Sequence, residues 1–309
     1  MKKSQFMLCA LLLGTGCGRF QSPPETASLP EARRDFKTKP VARGSARPAV
    51  DTPPPAIFRT VKYPSPVGNL PAYLSPDPKD KKKHPAIIWI TGGDCNSIDK
   101  GCWQEGPPSN DQSASAFRKA GIIMMFPSLR GGNDNPGVKE GYFGEVDDIL
   151  AAADFLAKQE YVDPARIYLG GHSTGGTMVM LVAASSDRFR AVFPFGPVDD
   201  VSGYEKQYLP FDTSNGREIE LRSPGRWLHS IQCPTFVFEG TNRGNISSLN
   251  AMAKACANPK VHFQPIKGAD HFSTLAPTTA LIAGKILRDD GATTNIAISE
   301  EELNKPFGR

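Results

Sequence analysis

Two short stretches, residues 86–90 and 122–126, are apolar at every position, which a strand with one wet face cannot be. Runs of this kind suit central strands of a parallel sheet that is covered on both faces. Each ends in turn residues, Thr91, Gly92 and Gly93 after the first and Pro127 and Ser128 after the second. Four further strands are expected over residues 166–169, 191–195, 235–238 and 261–266. Helical spacing recurs between them, over 112–120, 146–156, 177–184 and 280–287, with Asp163 and Pro164 as a turn after the second helix. The alternation predicts an α/β fold, a mostly parallel central sheet with helices on both faces. The polar, irregular stretch over 202–230 is expected to form a short cap insertion over the carboxyl edge of the sheet.

A chain of 309 residues with 39% hydrophobic and 22% charged side chains can bury one main core. Its net charge of +4 is too small to suggest nucleic acid as a partner. The five His and six Cys show neither CxxC nor HxxxH spacing, so no metal site is expected. No GxGxxG or GxxxxGK loop points to a nucleotide, and a β-propeller has no room beside the α/β pattern.

Gly171-His172-Ser173-Thr174-Gly175 matches GxSxG, the turn that thrusts a serine out between strand and helix. The pattern alone is common in a chain with 29 glycines, but here a strand leads in and an apolar helix leads out. A serine hydroxyl needs a base, expected after the last strand, and His271 stands there. His84, His172, His229 and His262 sit in a charged turn, in the elbow itself, or at strand starts. The oxyanion would be held by the N–H of Thr174, at a helix start, and by an N–H of the turn after residue 90, Gly93 first and Asp94 second.

These residues resemble the α/β-hydrolase superfamily, and more narrowly the catalytic domain of the prolyl oligopeptidase group of serine peptidases. The resemblance runs over residues 57–287. It is carried by Gly92-Gly93, by residues 127–132 and 144–148, by Asp163-Pro164 with Arg166, by the elbow, and by Gly196-Pro197, Ser223-Pro224, Pro234, Gly240 and His271. It implies a serine hydrolase that cleaves a peptide or carboxylic ester bond through an acyl-enzyme, with no metal or organic cofactor; the ester alternative is that of dienelactone-hydrolase-like enzymes. Where the family usually carries its aspartate, residues 240–245 hold no carboxylate. Glu239, ending an apolar strand, is the first choice for the triad acid and Asp199 the second. Asp270 is disfavoured as the direct neighbour of His271. The missing loop aspartate leaves a rival reading, a non-catalytic α/β-hydrolase scaffold acting as a binding module of the envelope.

The N-terminus carries Lys2 and Lys3, an apolar run over 6–13, and small residues up to Cys17, the pattern of an export leader. Leu13-Gly14-Thr15-Gly16-Cys17 resembles a bacterial lipoprotein cleavage site, with Gly14 where an aliphatic residue is usual. The expected organisation is a leader over 1–17 ending at a lipidated Cys17, a Pro-rich disordered tether over 18–55, a catalytic domain over 56–290 and a C-terminal tail over 291–309. Such a protein would be exported and membrane-anchored, facing the periplasm or the cell exterior. In an oxidising compartment the four remaining cysteines are expected to pair as Cys95 with Cys102 and Cys233 with Cys256.

Overall fold

The computed structural model describes residues 27–41 and 48–308. The leader, with Cys9 and Cys17, lies outside the described residues. In chain order the main elements are α1 (Leu29–Arg33), β1 (Arg59–Ser65), β2 (Gly68–Leu74), β3 (His84–Ile90), α2 (Ser115–Lys119), β4 (Ile123–Pro127), α3 (Glu145–Leu156) and β5 (Val162–His172). They continue with α4 (Thr174–Ser185), β6 (Val192–Phe195), α5 (Gly216–Glu220), β7 (Thr235–Gly240), α6 (Ile246–Ala255), β8 (Val261–Ile266), α7 (Leu275–Arg288) and α8 (Glu300–Asn304). The eight strands form one sheet in the order β1-β2-β4-β3-β5-β6-β7-β8. Pairing from β4 through to β8 is parallel, and β2 runs antiparallel to both of its neighbours.

The apolar runs work as a two-sided device. Along β3, Ala86, Ile88 and Ile90 enter one buried cluster with Val146 and Ile149 of α3 and Met178 and Val182 of α4. The alternate residues Ile87 and Trp89 enter a second cluster with Phe117 of α2 and Ile282 and Ile286 of α7. A period of two distributes the run between the two helical layers, so every residue of it must be apolar. The chain leaves β3 for β4 on one side and then crosses to β5 on the other. Open α/β sheets place their sites beside such a reversal, at the carboxyl ends of the strands.

Three expectations are corrected. Asp163 and Pro164 do not end the segment before a strand: they lie inside β5, where its pairing with β3 slips between His84↔Val162 and Ala86↔Ile167. The described part of the 18–55 stretch is a packed strap, not a disordered tether. Leu29 is fully buried in the α3/α4 cluster, Arg217 donates to the Ala32 carbonyl at 2.8 Å, and Pro40 bridges to Phe211. Residues 291–308 are no loose tail either, because Ile296, Ile298 and Leu303 close the second cluster beside α7. Leu29→Ala should therefore cost about 2–5 kcal/mol in chemical denaturation, the range for a deleted core leucine; a loss under about 0.5 kcal/mol would mean the strap is not anchored there.

The cysteines are corrected too, since all four are free thiols. Cys95 enters the α3/α4 cluster and Cys102 the opposite one, so the short loop between them turns their side chains to different faces. Cys233 is buried in the first cluster, and Cys256 Sγ lies 3.8 Å from the Asn258 carbonyl oxygen, which it meets instead of a sulfur. Burial pushes the Cys95 thiol up to about 12 and that of Cys233 up to about 11, so neither is a thiolate at neutral pH.

Candidate active site

Ser173 occupies the junction between β5 and α4 with φ 56° and ψ −115°. A non-glycine residue held there stores on the order of 1–3 kcal/mol of backbone strain, which the packing around it must hold. The strain places the hydroxyl clear of both elements. It also brings α4 so close to the sheet that a Cβ on Gly175 would lie 2.2 Å from the carbonyl oxygen of Ile90 in neighbouring β3, and one on Gly171 2.6 Å from that of Gly175. Backbone atoms cannot yield as a side chain can, so the glycines of the elbow are steric requirements.

His271 follows β8 on a short loop, and Glu239 is the last residue but one of the neighbouring β7. Glu239 is 1% exposed, yet no oxygen is left bare: Oε1 accepts from the Gly240 N–H at 2.7 Å, and Oε2 accepts from the Asn245 N–H at 3.1 Å. Oε2 also lies 2.8 Å from His271 Nδ1. A carboxylate can only accept, so Nδ1 carries the proton and Nε2 is left free as a base. Asn245 in turn donates its side-chain amide to the Gly196 carbonyl at 2.7 Å. The loop that lacks a carboxylate thus supplies the amide that aims one. The imidazole lies over Gly196, where a Cβ would be 2.4 Å from His271 Cε1. Ser173 and His271 share no hydrogen bond among the described residues; catalytic hydrogen bonds of this kind commonly tighten only when substrate binds.

The alternative acids are accounted for. Asp199 accepts from Ser248 Oγ at 2.7 Å, and Asp270 Oδ1 accepts from the N–H groups of Phe272 and Ser273, closing its own turn. Burial alone would raise the Asp270 carboxyl, but those bonds outweigh it and hold the group below its ordinary value. The structure therefore brings His271 and Glu239 together and leaves Asp199 and Asp270 elsewhere.

Thr174 opens α4, where its N–H has no helical acceptor and the helix dipole favours negative charge. Its hydroxyl donates to the Gly93 carbonyl at 3.0 Å, tying the elbow to the turn after β3, and Gly93 itself is in the left-handed region at φ 74°. Over this edge lies the chain between β6 and β7, which is the expected cap. Tyr204 stacks on Tyr142 with centroids 5.8 Å apart, and its hydroxyl meets Thr177 Oγ1 at 2.8 Å. Fully buried Arg222 ties the cap together by pairing with Glu218 and donating to Thr38 Oγ1 of the strap and to the Glu140 and Gly141 carbonyls. Sequence reasoning did not single out Asn245 or Tyr142; polar loop residues carry no signal before the loop they brace is known.

A strained serine between a parallel strand and a helix, with a histidine–carboxylate pair carried at the carboxyl ends of β7 and β8 beyond β6, defines an α/β-hydrolase. The pattern of the prolyl oligopeptidase family matches residues 108–264, just over half of the sequence, and the chain belongs to that family. It is 36% identical over 94 residues to a dual function macrocyclase-peptidase of Galerina marginata, covering 28% of this chain and 13% of that protein. It is 32% identical over 126 residues to dipeptidyl-peptidase 5 of Porphyromonas gingivalis, covering 39% and 18%. The chain thus spans less than a fifth of the length of these relatives. Among solved structures, a puromycin-hydrolyzing peptidase of Mycobacterium tuberculosis superposes with a TM-score of 0.60 at 22% identity, over 75% of this chain and 39% of that one. The acylaminoacyl peptidase of Pyrococcus horikoshii gives 0.59 at 16%, over 80% and 44%. At such identities the structures show the fold, and the family rests on the sequence match.

Proposed function

We propose that this protein is a serine hydrolase that cleaves peptide bonds through an acyl-enzyme. The observation that carries the reading is the 2.8 Å contact of Glu239 Oε2 with His271 Nδ1 beside the strained Ser173. In this reading Ser173 Oγ attacks the scissile carbonyl carbon while its proton passes to His271 Nε2, and buried Glu239 stabilises the imidazolium. The N–H groups of Thr174 and Gly93 receive the oxyanion. Collapse of the tetrahedral intermediate breaks the C–N bond, and His271 returns the proton to the leaving amine. A water, deprotonated by the same nitrogen, then attacks the acyl carbon, and the C–O bond to Ser173 Oγ breaks as His271 returns that proton to Oγ and the acid leaves. That these relatives are named as peptidases supports an amide bond, not an ester bond, as the one this chain cleaves. A fluorophosphonate probe should label the wild type and fail to label Ser173→Ala. An unlabelled, folded wild type would restore the rival reading of a non-catalytic envelope scaffold, and a panel of peptidyl amides and esters ranks the two bond types.

The same proposal includes export and anchoring through an acylated Cys17. It is supported by Lys2, Lys3, the apolar run over 6–13 and the small residues before the cysteine. Among the described residues no helix is long and apolar enough to cross a membrane. Several acyl groups on one cysteine would meet the need for more than a single chain in stable anchoring. Cys17→Ser should move the protein from the membrane fraction to the soluble one; retention in the membrane fraction would contradict the lipid anchor.

A further inference from the structure

His172, the residue before the nucleophile, is fully buried, and both of its ring nitrogens are engaged. Nε2 lies 2.9 Å from the carbonyl oxygen of His271. A carbonyl only accepts, so Nε2 carries the hydrogen and Nδ1 is left as an acceptor. Nδ1 faces Gln112 Nε2 at 2.9 Å. The other hydrogen of that amide goes to Asn110 Oδ1 at 2.9 Å, and Gln112 Oε1 takes the Gly92 N–H at 3.4 Å. Oε1 also stands 3.1 Å from His172 Nδ1, but two acceptors do not bond, so the network fixes which way the amide points.

The bonds form one line: Gly92 N–H to Gln112, Gln112 to His172, and His172 to the His271 carbonyl. One end is the turn that carries Gly93, and the other is the backbone of the base itself. We propose that Gln112 and His172 are positioning residues whose bridge sets the distance between the oxyanion turn and the catalytic histidine. The inference rests on the hydrolase reading above. Burial, followed by the nearby His271, holds His172 down to about 3, so it stays neutral while its neighbour takes up and releases a proton. The two rings pack with centroids 4.5 Å apart, so a shift of either one is felt by the other.

Turnover of a p-nitrophenyl ester separates positioning from packing, with thermal melting as the check on folding. Gln112 is partly exposed and lies just outside α2, so Gln112→Leu removes the bridge without cutting into the core. It should lower kcat about 10- to 100-fold with KM within about two-fold, the scale expected when a reacting group is displaced by a fraction of an ångström to an ångström. His172→Phe keeps the volume but loses the donor, and it should fall as far. His172→Gln can still donate to the His271 carbonyl and should recover most of that loss. Wild-type kcat in a folded Gln112→Leu would overturn the proposal, as would a His172→Gln that melts like the wild type yet is as slow as His172→Phe. Fluorophosphonate labelling of the wild type comes first: an unlabelled wild type removes the hydrolase reading itself, whereas a labelled one with an indifferent Gln112→Leu removes only the bridge.

Discussion

Glu239→Gln is expected to cut kcat by about 10⁴-fold while leaving the fold in place, as loss of the orienting carboxylate does in triads generally. The swap keeps shape and volume but replaces one acceptor with an amide donor, and both carboxylate oxygens are already accepting N–H bonds from Gly240 and Asn245. If the new NH₂ takes the place of Oε2, it donates to His271 Nδ1 and drives the ring proton to Nε2, the nitrogen that must be bare to accept from Ser173. If it takes the place of Oε1, it faces the Gly240 N–H and leaves two buried donors opposed, at a cost of about 1–3 kcal/mol. Steady-state turnover with a melting curve measures both effects. Asp199→Asn is the control, since Asp199 is engaged with Ser248, and its kcat should remain within about two-fold of wild type. Near-wild-type kcat in Glu239→Gln would mean that another group orients the base.

Gly196→Ala is the second large effect, and it acts without removing any reacting group. The added methyl would lie 2.4 Å from His271 Cε1, 2.6 Å from Nδ1 and 2.8 Å from Glu239 Oε2, at a backbone with φ 58°. The left-handed conformation costs a non-glycine residue about 1 kcal/mol, which only lowers the melting temperature. The collision is the graver matter, because it cannot be relieved without turning the imidazole off the carboxylate. A fall in kcat of about 10²- to 10³-fold is expected, with the fluorophosphonate rate falling in parallel. Wild-type turnover in this variant would show that the ring works from a different position.

The parts of this protein that the sequence displays are those in which one physical demand falls on every residue of a run. Residues 86–90 are buried on both faces and so are apolar throughout, and the elbow glycines are dictated by backbone contacts, so sheet, nucleophile and base could be placed in order. The hairpin β1–β2 was invisible for the opposite reason. Pro64, Pro66 and Pro71 and the mostly exposed β1 erase both propensity and pattern, and an outer hairpin tolerates them. Helix α6 buries only Leu249 and Met252, too few for periodicity to stand out. The strap is held by Leu29 and by the reach of Arg217 and Arg222, contacts made across some 185 residues that local patterning cannot carry. The acid could be narrowed to a few carboxylates, and only the register of β7 against β8 selects among them.

With the proposed lipid on Cys17, the strap would also bias which way the hydrolase faces. At the start of the strap the Ala27 carbonyl lies 3.1 Å from His229 Nε2, and Leu29 donates its N–H to Ser230 Oγ, which donates to the Ala184 carbonyl in the last turn of α4. That helix starts at the nucleophile and runs 12 residues away from it, about 18 Å, so the strap is fastened at the rear of the molecule, opposite the catalytic mouth. With a lipid on Cys17, the ten residue steps to Ala27 can span no more than about 36 Å. The bilayer would then lie behind the enzyme and the cleft would open outward, so its diet would be peptides arriving from the surrounding fluid, not acyl chains drawn up from the membrane beneath.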